Sequence, residues 1–185
     1  LLDVLFHSQM KILFITDTTI RGRSGVGDYT ICLCEELRGL GVDCDILGLS
    51  TLFSISYNEI FDRVCFYNPT WVSVQFAPNV YSRRGLVTPW SFPWNALRKW
   101  PVHFMFHETW IGVHKGAQTR ERYIGKFQKL GIKLTLKSVK PRVIHSTNYL
   151  SSSILASSGI ANKILPLFGA IPVVKNTSDP YIDEL

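Results

Sequence analysis

The chain has 185 residues, 46% hydrophobic and 18% charged, with a formal net charge of +6. That suffices for one core of ordinary size and not for a second full domain, and no apolar run approaches the roughly 18 to 20 residues of a membrane span. The four cysteines, Cys32, Cys34, Cys44 and Cys65, form no C-x-x-C pair, which argues against a zinc site or a secreted disulfide framework and fits buried thiols in a reducing cytoplasm.

Residues 1–9 (LLDVLFHSQ) carry neither a basic leader region nor a small-residue cleavage site. They read as a non-native or flexible extension ahead of Met10. Next, KILFIT (11–16) is a short apolar run rich in β-formers, followed by Asp17 and then Gly22, Gly25 and Gly27: a central parallel strand leading into a glycine loop. From 26 to 40, Tyr29, Leu33, Leu37 and Leu40 recur at helical spacing and Gly41 supplies a C-cap. A second strand is predicted over 44–49. WVSVQF (71–76), VHFMFH (102–107) and RVIHS (142–146) are further strands, the last followed by a helix capped by Asn148. Strands alternating with helices give an α/β fold, a Rossmann-like, mostly parallel sheet with helices on both faces. The connection 77–101 contains four prolines and the aromatic residues Tyr81, Trp90, Trp94 and Trp100. Its length favours a functional loop.

The glycine loop does not match the standard phosphate cradles. No Lys follows Gly27, which rules out the G-x-x-x-x-G-K-[ST] loop. Gly22, Gly25 and Gly27 read G-x-x-G-x-G, not G-x-G-x-x-G, and the second strand ends in Leu47-Gly48-Leu49-Ser50 without the acid that a dinucleotide ribose needs. What remains is general: glycines admit a ligand close to backbone N–H groups, and a helix N-terminus favours an anion or polar oxygen. The alternative is a turn made only for close packing.

Residues 115–142 hold nine Lys or Arg and one acid, Glu121. This local +8 exceeds the charge of the whole chain. At 100° per residue, Lys115, Arg122, Lys126, Lys129, Lys133, Lys137 and Lys140 fall within about 80° of one another, beside Tyr123, Phe127, Leu130 and Leu134. No nucleic-acid motif accompanies the stripe, so nucleic acid is not expected as a partner. An anionic membrane surface fits better; an ordinary solvated face, interrupted by Gly125 and Gly131, is the plain alternative.

The ordered set of KILFIT, SGVGDYT, VQFAP, VHFMFHETW, VIHSTNYLSSSIL and ILPLFGAIP resembles the N-terminal domain of a family 4 glycosyltransferase, over roughly residues 10–173, with 174–185 read as the start of an interdomain linker or a tail. The resemblance implies a GT-B architecture of two Rossmann-like domains and a retaining, metal-independent transfer of a sugar from a nucleotide-sugar to a glycan or lipid-linked acceptor, with no cofactor. The nucleotide-sugar is a co-substrate. It places the enzyme in the cytoplasm, peripheral on the cytoplasmic face of the membrane. The family's donor-binding half carries an E-x7-E pair, and no two of the six glutamates here have that spacing; a donor-binding domain or subunit is therefore expected as a partner, and the 185 residues alone are expected to be inactive.

His107 matches the family's histidine facing the transferred sugar, and it ends a strand where open sheets collect ligands. Its imidazole could hydrogen-bond sugar hydroxyls or stabilise charge. Glu108 and Trp110 follow as candidates for acceptor hydroxyls and for an apolar sugar face. Gln75 and Tyr81 are candidates to face the same cleft, and Gly25 and Gly27 to approach donor phosphates or acceptor. His103 reads as core or partner-bonded, and His145 has the same strand-end placement as His107. H-E-x-x-H zinc chemistry is excluded because Ile111 stands where the second His belongs. Two other readings stay open: a non-catalytic binding module or subunit of a split enzyme, and a nucleotide-dependent oxidoreductase.

Overall fold

In the strands β3 (Trp71–Phe76) and β4 (Val102–Phe106), side chains alternate in character. Val72, Val74, Phe76, Val102, Phe104 and Phe106 are fully buried on one parity, while Trp71, Ser73, Gln75, His103 and Met105 occupy the other. Successive strand residues face opposite sides of a sheet, so these two strands have one apolar and one largely polar face. The computed structural model describes residues 10–49, 57–82 and 85–168; the expected extension 1–9 and linker 174–185 lie outside them.

With β1 (Lys11–Thr16), β2 (Asp43–Gly48), β5 (Val143–Ser146) and β6 (Lys163–Ile164), β3 and β4 make one sheet. All its pairs are parallel, in the order β2-β1-β3-β4-β5-β6. This is the expected Rossmann-like α/β sheet, and its order reverses between β1 and β3. Among the described residues five α-helices flank it: α1 (Gly25–Gly39), α2 (Tyr57–Tyr67), α3 (Pro78–Tyr81), α4 (Thr119–Val139) and α5 (Tyr149–Ser157). Of these elements, α2, α3 and β6 have no counterpart among the predicted ones, α3 being a single turn inside the predicted loop 77–101. α2 buries Ile60 and Val64 four residues apart, which is one narrow stripe, and β6 is only two residues long.

The helices cover the two faces unevenly. The apolar face lies under α2, α4 and α5, whose Ile60, Val64, Ile132, Leu136, Val139 and Leu155 join a single core. On the other face α1 packs Leu33, Cys34 and Leu37 against Phe14 and Cys44. Of the four cysteines, Cys34 and Cys44 are buried as expected, but Cys32 is half-buried and Cys65 exposed.

The aromatic connection 77–101 builds core. Tyr81, Phe92 and Trp94 stack among themselves and against Phe76 and Phe104, with centroids 4.7–6.0 Å apart, and Trp94 donates from Nε1 to the Thr88 carbonyl at 3.1 Å. Trp90 is exposed. Length and aromatic content therefore reflect a chain segment that substitutes for a helix on the apolar face.

α4 is shorter than the predicted 115–142 helix. It starts at a capping box in which Gln118 and Glu121 bond each other's backbone, and ends at Lys140 in the left-handed region. Gly125 and Gly131 are contact points, not interruptions: a Cβ on Gly125 would lie 1.9 Å from the Ile111 carbonyl oxygen and one on Gly131 2.0 Å from that of Val87. Helix propensity favours Ala over Gly by about 1 kcal/mol. Here the close approach should reverse that order. Gly125→Ala and Gly131→Ala should each lower the denaturation midpoint, while Gly39→Ala, which meets open space, should leave it unchanged or raise it. Equal midpoints for all three would show that α4 does not rest on those two carbonyls.

Candidate functional site

The reversal of strand order places the carboxyl ends of β1 and β3 on either side of a crevice, where open α/β sheets hold ligands. A cavity of 560 Å3 occupies it, lined by Asp17 after β1, Ser24, Gly25 and Val26 at the start of α1, Ala77 and Asn79 after β3, and His107 and Glu108 after β4. A second cavity of 550 Å3 shares Asn79 and Glu108 with it and continues past Pro78 and Thr109 to Trp110. Together they form one cleft along the carboxyl edge.

The α1 end of the cleft is fixed by short-range bonds. Ser24 is extended, as an N-cap should be, and its Oγ accepts from Val26 N and Gly27 N at 3.2 and 3.3 Å. Gly22 has φ +76°, a left-handed turn that suits glycine, and donates its N–H to Asp28 Oδ1 at 2.7 Å. Asp17 Oδ1 accepts from Thr18 N at 2.9 Å and from Thr16 Oγ1 at 3.1 Å. Gly25 lines the cavity, and a Cβ added to it would have no neighbour within 4 Å. By contrast, a Cβ on Gly27 would meet Thr18 Cγ2 at 2.8 Å and Thr18 O at 3.1 Å. The expectation for Gly27 is thereby corrected: it lets α1 pack against the loop after β1, and does not line the cavity.

His107 is half-buried at the cleft floor, with the Tyr29 ring edge-on at 5.2 Å. Its backbone N–H donates to Phe76 O at 2.9 Å, extending the β3–β4 pairing, and its Nε2 lies 2.7 Å from Gln75 Oε1. Three other expectations change. Gln75 is 1% exposed and lies beneath His107, so it orients the histidine instead of meeting a ligand. Tyr81 is buried, its hydroxyl donating towards the carbonyls of Ile15 and Gln75 at 3.3 and 3.2 Å; burial pushes its pKa well up. Trp110 is 8% exposed and packed in the core, with Lys129 Nζ 5.7 Å from its ring, so little of the indole can lie against a sugar. Glu108 is exposed and lines both cavities, as expected.

Asp17, Ser24 and Asn79 belong to the cleft without having been expected there. Position is their one sequence signal, since each sits within three residues of a strand end or helix start. His103 is partner-bonded as expected, its Nδ1 2.9 Å from Ser73 Oγ and its Nε2 3.0 Å from His145 Nδ1. His145 therefore lies away from the cleft. Among the described residues no three His, Cys, Asp or Glu come together to hold a metal.

Burial lowers the His107 pKa from 6.5 to about 4, with Asp17 opposing. His103 falls to about 4 as well, through burial first and then the neighbouring His145 and His107. At neutral pH both rings are uncharged. A neutral ring can donate from one nitrogen and accept at the other, so His107 offers hydrogen bonds and no fixed positive charge.

No protein-family model and no curated protein matches the chain. Among solved structures, a dTDP-4-dehydrorhamnose reductase from Clostridium acetobutylicum superposes with a TM-score of 0.43 at 12% identity, over 76% of this chain and 54% of that one. This chain spans about half the length of that structure. A likeness at that level assigns neither activity nor ligand.

Because His103 and His107 bind fewer protons folded than unfolded between pH 6.5 and 4, stability should be complete above pH 6.5 and decline as pH falls towards 4, by about 1 kcal/mol per pH unit for each ring. Urea midpoints measured between pH 7 and 5 should fall, and His107→Gln should flatten the slope. A midpoint independent of pH over that window would show that the two rings are not buried neutral.

Proposed function

We propose that this chain is the acceptor-side domain of a retaining glycosyltransferase, moving a sugar from a nucleotide-sugar to a glycan or lipid-linked acceptor. The observation that carries the reading is His107 at the end of β4, its Nε2 held by Gln75 Oε1 and its ring facing a cavity with two carboxylates and a helix N-terminus; its lowered pKa fits an uncharged ring there. The Asp17 and Glu108 carboxylates can accept from sugar hydroxyls, while the imidazole nitrogen not engaged by Gln75 supplies one oriented polar contact. The N-terminus of α1 adds partial positive charge and suits a phosphate or polar oxygen. The reaction breaks the bond between the anomeric carbon and the diphosphate oxygen and makes one to an acceptor hydroxyl oxygen; nucleoside diphosphate and the hydroxyl proton are released. A second, donor-binding domain or subunit completes the cleft in this reading. Orienting both substrates needs both walls.

The site of action is the cytoplasmic face of a membrane. On α4, Tyr123, Phe127, Leu130 and Leu134 are all exposed, Phe127 by 65%. Lys126 and Lys137 stand exposed beside them, while Lys129 and Lys133 are half-buried. An exposed apolar stripe flanked by lysines is what an interfacial helix presents to anionic lipid. Among the described residues no helix is long and apolar enough to cross a membrane, so this contact would be peripheral.

Two experiments test these readings. Amide spectra of the chain titrated with UDP- and GDP-sugars, glycan acceptors and NAD should shift around Asp17, Ser24, Asn79, His107 and Glu108 with sugar ligands and not with NAD. Binding of NAD there, with every sugar ligand silent, would favour the oxidoreductase. Vesicle sedimentation should show binding to phosphatidylserine-containing and not to neutral vesicles, weakened by salt. It should be lost on replacing Lys126, Lys129, Lys133 and Lys137 with Gln, with circular dichroism unchanged. Equal sedimentation with both lipids, or no effect of the substitutions, would leave α4 an ordinary solvated helix.

A further inference from the structure

The face of the sheet opposite the main core holds an unbroken line of side-chain hydrogen bonds that crosses three strands. His107 Nε2 meets Gln75 Oε1 at 2.7 Å, Gln75 Nε2 donates to Ser73 Oγ at 2.8 Å, Ser73 Oγ meets His103 Nδ1 at 2.9 Å, and His103 Nε2 meets His145 Nδ1 at 3.0 Å. One end lies in the cleft. The other reaches a separate groove of 310 Å3, lined by Ser73, His103 and His145 together with apolar residues of β1, α1 and β5.

Each member of the line can act as donor and acceptor, and each contact joins one hydrogen to one lone pair. Two directions use every hydrogen along the line; the remaining arrangement, in which Ser73 accepts from both Gln75 and His103, leaves the Ser73 hydroxyl hydrogen without an acceptor among the described residues. With the Gln75 amide as placed, His107 carries its proton on Nε2 and donates to Gln75, Gln75 donates to Ser73, Ser73 to His103, and His103 to His145. In the reverse direction His145 donates to His103, His103 to Ser73, Ser73 to Gln75 with its amide turned over, and Gln75 to His107, whose proton then sits on Nδ1. An imidazolium at His145 has a hydrogen on both nitrogens and, of these two directions, fits the second.

We propose that the line couples the groove to the cleft: a proton taken up by His145 reverses the line and moves the proton of His107 from Nε2 to Nδ1. The cleft-side nitrogen thereby changes from an acceptor to a donor. Protons balance, since His103 and His107 each exchange one nitrogen-bound proton for another and stay neutral, and the single added proton rests on His145. The titratable groups around the two ends support this order. His145 faces His103 on β4 and Lys163 on β6, and burial followed by Lys163 lowers its pKa from 6.5. His107 faces Asp17, Glu108 and Tyr29 and stays neutral down to about pH 4. His145 lines the groove and not the cleft, so it is the end of the line that takes up the proton. Ser73, Gln75 and His103 act as positioning residues for His107.

The coupled line shares His107 with the transferase reading, but its test reads protons and not activity, so either can fail alone. Long-range proton–nitrogen spectra of the full chain with 15N-labelled histidine distinguish Nδ1–H from Nε2–H rings. Between about pH 8 and pH 5, His107 should change from Nε2–H to Nδ1–H in step with the protonation of His145, without becoming an imidazolium. Ser73→Ala should uncouple the two rings, so that His145 still titrates and His107 keeps a pH-independent tautomer. His145→Gln, at a half-buried position, should likewise abolish the change and serves if Ser73→Ala does not fold. A wild-type His107 that holds one tautomer while His145 titrates, or that follows pH equally in both variants, would overturn the proposal.

Discussion

The contact between Gln75 Oε1 and His107 Nε2 joins the two halves of this structure. Gln75 is a buried amide in a strand whose neighbours Val74 and Phe76 belong to the core, and an unpaired buried amide costs on the order of 1–3 kcal/mol. His107 meets that requirement from the end of the adjacent strand. In doing so it gives up one nitrogen and keeps the other for the cleft. The same burial that demands the bond keeps the ring uncharged, so packing and chemistry at this position have one cause.

The cleft depends on how the rest of the chain supports that pair. Parallel register places Gln75 opposite Met105 and Phe76 opposite Phe106, which carries His107 one residue beyond the paired strand. Behind it, aromatic residues of 77–101 fill the apolar side. Above it, α4 lies within contact of the Ile111 and Val87 carbonyls because Gly125 and Gly131 carry no side chain. A close helix approach holds the loop after β4, and with it Glu108, at the cleft edge. The exposed stripe of α4 is the opposite consequence of the same placement, since the face that packs is the one with the glycines, and Tyr123 and Phe127 are left outward.

Much of the fold was legible because strand periodicity and cap residues are local signals. KILFIT, WVSVQF and the Asn148 cap stand where their composition put them. α2 escaped because a single apolar stripe of Ile60 and Val64 is weak, and 115–142 was over-extended because charge continues past the capping box at one end and the left-handed Lys140 at the other. For the site, strand-end logic puts His107, Glu108 and Gly25 at the carboxyl edge, and all three line the cavity there. It failed for Gln75, Tyr81 and Trp110, which have polar handles and strand-end or loop positions yet are buried; the hydrogen bonds that make the burial of Gln75 and Tyr81 tolerable come largely from residues distant in sequence, Ser73 apart. Gly27 is indistinguishable from Gly25 by sequence, and it is Asp17 and Thr18 across the turn that separate their roles.

A double-mutant cycle on Gln75 and His107 tests most directly whether their bond is the constraint proposed. Gln75→Met and His107→Phe keep approximate volume while each leaves the other's polar group buried and unpaired. If the bond is that constraint, both single variants are destabilised and the double variant loses less than their sum, with a coupling of at least about 1 kcal/mol in urea unfolding. Additive losses, or a Gln75→Met protein as stable as the wild type, would contradict it.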